Sequence, residues 1–277
     1  MSKTLRLTCL VVVLALVPAL ARAQLSAYRA DNRALGERYN VELAVGLWNP
    51  TPAITFASTS LSIIGSEIDA VNDLGFTTNK LTDVQLILRP ATKHKIRFEY
   101  LPIKYSADAT LVRTIVFHGV TYNVGVPVTS ELNWQAYRFG YEYDFLYRSQ
   151  GFVGVVGHVM YADVQASVAT RLPAPLPNAS ASTHQKEPVP GIGGIARGYV
   201  AQNVSITGEV TGFKLPSSAT SGRKGTYLDV DLYSTFNFHN NVGAQVGYRW
   251  IDVSYAVPDD SGSVNLKGLY VRGVVRF

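Results

Sequence analysis

The sequence predicts an all-β fold, a transmembrane antiparallel up-and-down β-barrel of about ten strands. Three observations predict it. Segments of alternating apolar and polar residues follow one another through most of the chain. Charged residues stand in the middle of these segments, where a soluble sheet would bury them only at a cost. The connections between the segments are alternately short and long, as in barrels that have turns at one end and loops at the other.

The N-terminal 23 residues have the three parts of a signal peptide. Residues 1–6 are basic, residues 7–17 are apolar, and the Ala-Arg-Ala sequence at 21–23 has small residues where a cleavage site requires them. The apolar run is shorter than the ~18–20 residues of a spanning helix, so we expect cleavage rather than a retained anchor. The expected organisation is a signal peptide at 1–23, a short N-terminal segment at 24–38, and the barrel at 39–277.

Charge and cysteine content exclude several functional classes. The chain has a formal net charge of +5, but Lys3, Arg6 and Arg22 belong to the signal peptide. Removing them from the 25 basic residues leaves 22, against 20 acidic residues. A chain so close to neutrality offers no electrostatic case for nucleic acid. The single cysteine, Cys9, also lies in the signal peptide, so we expect no disulfide, thiolate metal site or cysteine nucleophile in the mature chain.

Two-residue alternation defines the strands, because successive side chains of a strand point to opposite faces. It is clearest in residues 225–238, where Val230 and Leu232 share one face while Asp229 and Asp231 share the other. Many alternating runs exceed the ~5–6 residues usual in soluble sheets and reach the ~9–11 that cross a bilayer. The predicted strands are 39–49, 79–89, 94–106, 129–146, 151–168, 191–201, 203–214, 225–238, 242–256 and 263–277.

The connections support an even number of strands. Short connections alternate with long ones, and the long ones are 50–78, 107–128, 169–190, 215–224 and 257–262. Glycines at 191, 193 and 194 dilute the alternation in one strand, and losing that hairpin would leave eight strands. The structural rival is a soluble lipocalin-like barrel, which would turn its apolar face inward.

The last strand carries the most specific feature of the sequence. Leu269, Val271 and Val275 alternate with Tyr270 and charged residues, and the chain ends at Phe277. A final amphipathic strand ending in phenylalanine resembles the C-terminal signal of bacterial outer-membrane β-barrel proteins, the broad porin-like barrel superfamily of Gram-negative bacteria. The resemblance covers the whole mature chain and identifies no subfamily. It implies an assembly signal that includes Tyr270, Val275 and Phe277.

Strand parity predicts which charged side chains line the lumen. The predicted lumen-lining residues are Glu42, Asp83, Arg97, Glu99, Arg138, Glu142, Asp144, Glu209, Asp229, Asp231, Arg249 and Arg272. In a narrow barrel these arginines should reach the carboxylates and form bidentate pairs that close the interior. The alternative interpretation is a narrow polar pathway for small solutes, since alternation alone does not distinguish the two.

The sequence offers little for catalysis. His158 is the one histidine predicted to face inward from mid-strand, and no paired-histidine, Ser-hydrolase or phosphate-loop motif is present. In the first long loop, residues 66–76 could form a short helix ended by Gly75. Its acids Glu67, Asp69 and Asp73 could bind a divalent cation or be merely solvated.

We therefore expect a non-enzymatic outer-membrane barrel with structural or surface-interaction roles, no catalytic or metal-binding residues and no cofactor. A narrow passive channel and an outer-membrane hydrolase are the alternatives. The resemblance implies outer-membrane lipid, lipopolysaccharide and the barrel-insertion machinery as partners, and a monomer with both termini in the periplasm.

Overall fold

The computed structural model describes residues 34–60, 62–174, 176–215 and 224–277. The predicted signal peptide, the N-terminal segment up to residue 33 and most of the predicted loop at 215–224 lie outside these residues. The described strands are β1 (Val41–Ser58), β2 (Ile68–Asp69), β3 (Leu81–Ala91), β4 (His94–Thr110), β5 (Ile115–Phe117), β6 (Val120–Tyr122), β7 (Pro127–Arg148), β8 (Gly151–Thr170), β9 (Ser180–Ala201), β10 (Val204–Leu215), β11 (Lys224–Asn237), β12 (Val242–Ala256) and β13 (Asp260–Arg276).

Ten of these strands form one closed antiparallel barrel. The order runs β13-β12-β11-β10-β9-β8-β7-β4-β3-β1, and β1 closes the ring by pairing with β13 from Glu42–Arg276 to Ser58–Asp260. The short strand β2 adds to the loop end of β1, and β5 and β6 form a separate hairpin. The predicted ten-strand barrel is confirmed, and the eight-strand alternative is wrong. No helix long and apolar enough to cross a membrane occurs in the described part of the chain.

The outer surface of the barrel is apolar. Large side chains with about half of their surface exposed include Leu47 (50%), Phe139 (55%) and Leu232 (57%), all on the face opposite the lumen. Aromatic side chains pair across neighbouring strands there, as in the stacked rings of Tyr100 and Tyr137, whose centroids lie 4.8 Å apart. This arrangement is the reverse of a soluble barrel and suits contact with lipid.

Two strands are longer than the alternation predicted. Residues 50–58 and 180–190, predicted as loop, continue β1 and β9 past the ends of their pairing with β3 and β10. Over residues 49–53, β1 pairs only with β13, and over residues 180–191, β9 pairs only with β8. Each stretch contains two prolines of the same parity. The proline nitrogens, which carry no hydrogen, can therefore all face the unpaired edge of the strand. No hydrogen bond between strands is lost there.

The interior of the barrel has two halves. The half near the short turns is lined by charged side chains, whereas the half near the long loops is an apolar core that sequence analysis did not predict. Two loops fold into the mouth and complete this core. Loop 1 (residues 59–80) contributes Ile68, Leu74 and Phe76, and loop 2 (residues 111–126) contributes Ile115 and Phe117.

The helix predicted at residues 66–76 is not formed. The segment contains β2 followed by a turn, in which the Asp73 and Gly75 amides donate to the Asp69 and Val71 carbonyls. The Asp69 carboxylate accepts hydrogen bonds from the Val71 and Asn72 amides and so holds the turn. Two such bonds amount to a single turn, too short to offset the cost of helix nucleation. Gly75 ends the turn with φ +76°, a conformation that glycine adopts without strain.

Candidate functional site: the charged lumen

Four side chains from four strands meet at the centre of the charged half. Arg138 on β7 contacts Glu99 on β4 at 2.8 Å and Asp229 on β11 at 2.6 Å. Arg249 on β12 donates to both Asp229 oxygens, at 3.1 and 2.7 Å, and also binds Glu99. Two guanidinium groups and two carboxylates thus form a neutral cluster that crosses the lumen. Bidentate geometry of this kind gives the strongest pairs that arginine makes with carboxylates.

A second cluster joins β13 to β3 and β11. The Arg272 guanidinium binds Asp83 on β3, two strands away across β1. Its Nη1 also lies 3.7 Å from Asp231, which accepts a hydrogen bond from the Tyr270 hydroxyl at 2.7 Å. The Arg272 guanidinium lies over the Tyr270 ring, 3.9 Å from its centroid. Tyr270 was predicted as part of the assembly signal, but its side chain is buried in the lumen and contacts this cluster.

A third cluster contains a lysine that parity analysis overlooked. Lys95 is 2% exposed and contacts Glu142 at 2.5 Å and Asp144 at 3.0 Å. Arg97 binds Glu142 at 3.2 Å and reaches across the lumen to Glu209 on β10 at 2.8 Å. Lys95 lies two residues before Arg97 and therefore on the same face of β4. The alternation pattern predicts an inward side chain at residue 95 once it is extended to the start of the strand.

The short-turn end of the lumen is closed by the segment before β1. The Glu37 carboxylate accepts hydrogen bonds from Arg197 at 3.0 Å and from the Tyr199 hydroxyl at 2.7 Å, and it lies 3.5 Å from Arg89. Burial alone would raise the pKa of Glu37, but Arg197, Tyr199 and the neighbouring cations outweigh it and hold that pKa below its usual value. No sequence signal pointed to Glu37, because it lies outside the strands. Nearby, Arg276 binds Glu42.

Each predicted lumen-lining residue lies inside the barrel with an oppositely charged group at 3.7 Å or less. The carboxylates are Glu42, Asp83, Glu99, Glu142, Asp144, Glu209, Asp229 and Asp231, and the arginines are Arg97, Arg138, Arg249 and Arg272. Val275 and Phe277, by contrast, face outward and are 40% and 71% exposed.

His158 is buried between two glycines on the neighbouring strands. Its cross-strand partners are Gly140 on β7 and Gly191 on β9, and a Cβ at residue 191 would lie only 2.4 Å from His158 Nε2. The imidazole packs edge-on against the Tyr227 ring, with centroids 5.6 Å apart. Neither ring nitrogen has a hydrogen-bond partner among the described residues. A cavity of about 20 Å³ borders His158, Arg97 and Arg138, enough for one water molecule.

Two of the three acids of loop 1 have partners for their carboxylates, and the backbone carbonyl of the third, Glu67, accepts a hydrogen bond from Arg113 at 2.6 Å. Asp73 binds Arg113 of loop 2, and Asp69 holds its own turn. The side-chain hydrogen bond from Arg113 lowers the pKa of Asp73 below its usual value. No group of three or more potential metal ligands is assembled among residues 34–60, 62–174, 176–215 and 224–277.

Comparisons with known proteins bear on the fold. No protein-family description matches the chain, and no curated protein matches it in sequence. The solved structure of the outer membrane protease OmpT from Escherichia coli matches with a TM-score of 0.56 and 10% identity, covering 86% of this chain and 97% of that one. Two weaker matches are Ail of Yersinia pestis (TM-score 0.35, 8% identity, 84% and 97% covered) and the toluene transporter TodX of P. putida (0.36, 6%, 86% and 90%). At these identities the likeness is one of fold, that of the bacterial outer-membrane β-barrel.

Proposed function

We propose that the chain is a non-enzymatic outer-membrane barrel whose lumen is closed by Arg–carboxylate pairs and whose loops serve structural or surface-interaction roles. The ion pairs that cross the lumen carry this proposal. Arg138–Asp229, Arg97–Glu209 and Arg249–Glu99 each join strands that have three other strands between them. A pathway for solutes would need these side chains to be solvated and apart.

The proposed location follows from the apolar outer surface and the fold. With the short turns in the periplasm, both ends of the barrel sequence lie there, because β1 begins and β13 ends at the short-turn end. Outer-membrane lipid, lipopolysaccharide and the barrel-insertion machinery are the proposed partners, and the barrel acts as a monomer. Protease accessibility of an epitope inserted in loop 2, compared with one in the turn at 239–241, tests this orientation on intact cells.

A liposome-swelling assay tests closure against the narrow-channel alternative. Purified full-length protein in liposomes should give no swelling with arabinose, a sugar that small pores admit. Swelling that rises with the protein-to-lipid ratio would contradict a closed lumen and support a passive channel.

One observation favours a hydrolase as the second candidate. His184 Nε2 lies 2.6 Å from Asp163 Oδ1 near the loop end, and both side chains reach solvent. An acid–histidine pair can orient a histidine as a general base, and the solved structure with the same fold belongs to a protease. Rates of peptide and lipid hydrolysis, measured for the wild type, His184→Ala and His158→Ala, test whether the protein is a hydrolase. Activity lost only in His184→Ala would support the hydrolase, and no activity in the wild type would exclude it for those substrates.

A further inference from the structure

The apolar half of the lumen opens toward the loops alone, because the ion clusters form its floor. Its wall includes Leu101, Ile103 and Tyr105 of β4 and Trp134 of β7, all less than 5% exposed. Transmembrane barrels usually have polar interiors, and this apolar half of the lumen, called the chamber below, is not required for closing the charged half beneath it. The chamber is filled in this structure by side chains of loops 1 and 2.

Two hydrogen-bond donors of the wall lack partners. The Trp134 Nε1–H and the Tyr105 hydroxyl are buried, with no acceptor among the described residues. Buried polar groups are nearly always hydrogen-bonded, because leaving one unpaired costs ~1–3 kcal/mol. Trp134 borders a cavity of about 10 Å³ between Met160 and Ile251, too small for anything larger than one water molecule. A larger ligand would therefore need the space that a loop side chain now fills.

Phe76 of loop 1 already fills part of that space with an aromatic ring. It stacks on Tyr105 with ring centroids 5.9 Å apart and planes 17° apart. The chamber wall therefore has a face that accepts a flat ring, close to an unpartnered hydroxyl donor.

The two loops are held together by a latch that reaches solvent. Arg113 of loop 2 donates to both Asp73 oxygens of loop 1, at 2.9 and 2.6 Å, although Arg113 is 45% exposed. Ser66 and Val116 add two hydrogen bonds between the same loops. Asp73 is itself only 7% exposed, so losing its bidentate pair with Arg113 should loosen the two loops. Neither residue contacts the ion clusters below, which should stay intact.

We propose that loops 1 and 2 are a lid over a binding chamber for a small aromatic molecule with a hydrogen-bond acceptor, such as an aromatic ketone. The ligand replaces Phe76 against Tyr105, and its acceptor binds the Trp134 or Tyr105 donor. It enters from and returns to the loop side, because the ion clusters block the lumen beneath it. This inference goes beyond the proposed function and does not depend on the absence of enzymatic activity.

Fluorine NMR of the purified full-length protein in detergent micelles tests the proposal with two probes of similar shape. 4-Fluoroacetophenone has a carbonyl acceptor, and 1-fluoro-4-isopropylbenzene has none. The wild type should give a saturable, protein-dependent signal with the ketone and bind the hydrocarbon ~3- to 10-fold more weakly, the value of one neutral hydrogen bond. Trp134→Phe should reduce that preference. Arg113→Ala, remote from the chamber, should tighten ketone binding, because it raises the fraction of open lid.

Two results would overturn the proposal. One is the absence of a saturable signal with both the wild type and Arg113→Ala. The other is equal binding of the ketone and the hydrocarbon that is also unchanged in Trp134→Phe and Arg113→Ala. Partition of both probes into the detergent micelle would give that result. Heat-modifiable migration of each variant in gels verifies that the barrel is folded.

Discussion

Arg138 on β7 binds Asp229 on β11 at 2.6 Å, although β8, β9 and β10 lie between these strands in the barrel wall. The contact therefore passes through the lumen rather than along the wall. Arg138 also binds Glu99, and Asp229 also binds Arg249, so one residue from each of four strands takes part in a single charged cluster. Removing any one of the four leaves an unbalanced charge in a poorly solvated space.

Arg138→Ala should therefore destabilise the barrel strongly. The free energy of unfolding should fall by ~3–5 kcal/mol if no water reaches Asp229 and Glu99. The loss is smaller if water fills the space left by the arginine side chain. Urea unfolding in lipid vesicles, followed by tryptophan fluorescence, measures it. Arg171→Ala is the matched control, because Arg171 pairs with Asp108 at 2.9 Å where both are about half exposed, so it should cost ~0–1 kcal/mol. Equal losses would show that the lumen is well solvated.

Leu232→Arg should destabilise the barrel more than Asp231→Asn, its neighbour on the lumen side. Leu232 faces outward near the middle of β11, and an arginine at the bilayer midplane costs ~2–4 kcal/mol. Asp231→Asn keeps an acceptor for the Tyr270 hydroxyl and loses only the 3.7 Å contact with Arg272. The same unfolding experiment ranks the two, and the reverse order would contradict the assignment of lipid-facing and lumen-facing sides.

Acid should release the lid before it unfolds the barrel. The folded-state pKa of Asp73 lies below the ~3.9 of an unfolded chain, so its pairing with Arg113 contributes fully above that value and is lost as pH falls through the folded pKa. Amide hydrogen exchange in residues 66–76, corrected for intrinsic rates, should stay slow from pH 6 to about pH 4 and rise as the pH is lowered further. In Asp73→Asn the exchange should already be fast at pH 6. Equal exchange in the wild type and in Asp73→Asn at pH 6 would refute the latch.

Deleting Phe277 should reduce assembly into the membrane. Its aromatic side chain faces outward, and its backbone forms hydrogen bonds with the backbone of Asn40 and Val41. These bonds lie where β13 closes the ring with β1. The measurement is the yield of heat-modifiable, membrane-inserted protein. Phe277→Tyr, which keeps an aromatic ring and the backbone, should assemble nearly normally. Normal yield of the deletion would count against both the closure contact and the predicted signal.

Alternation predicted the strands and the charged lumen well, because a period of two fixes which side chains share a face. It does not say which face is inside. On β4 the inward residues are charged at Arg97 and Glu99 but apolar at Ile103 and Tyr105, while Lys104 faces outward and is exposed. The polar face thus changes sides where the strand rises toward the loops. Because the inward face of β4 is polar at one end and apolar at the other, a single polarity for the whole strand cannot predict the apolar chamber.

The remaining errors came from residues that lack a periodic signal. The predicted strands stop at residue 49 and start at residue 191, next to Pro50 and Pro190, although pairing on a single edge tolerates prolines within β1 and β9. Glu37 lies before the first strand, and only the folded chain brings it to Arg89 and Arg197. Cross-lumen partners such as Arg97 and Glu209, 112 residues apart, likewise depend on barrel closure rather than on local sequence.

Single-channel conductance in planar bilayers tests the closed lumen most directly. Wild-type protein that is heat-modifiable and inserted should give no steady conductance, and Arg138→Ala should give a small one, because a bulky side chain and a charge are removed from the centre of the lumen together. A large steady conductance in the wild type, with Arg138→Ala changing only its ion selectivity, would contradict the closed lumen and establish a channel.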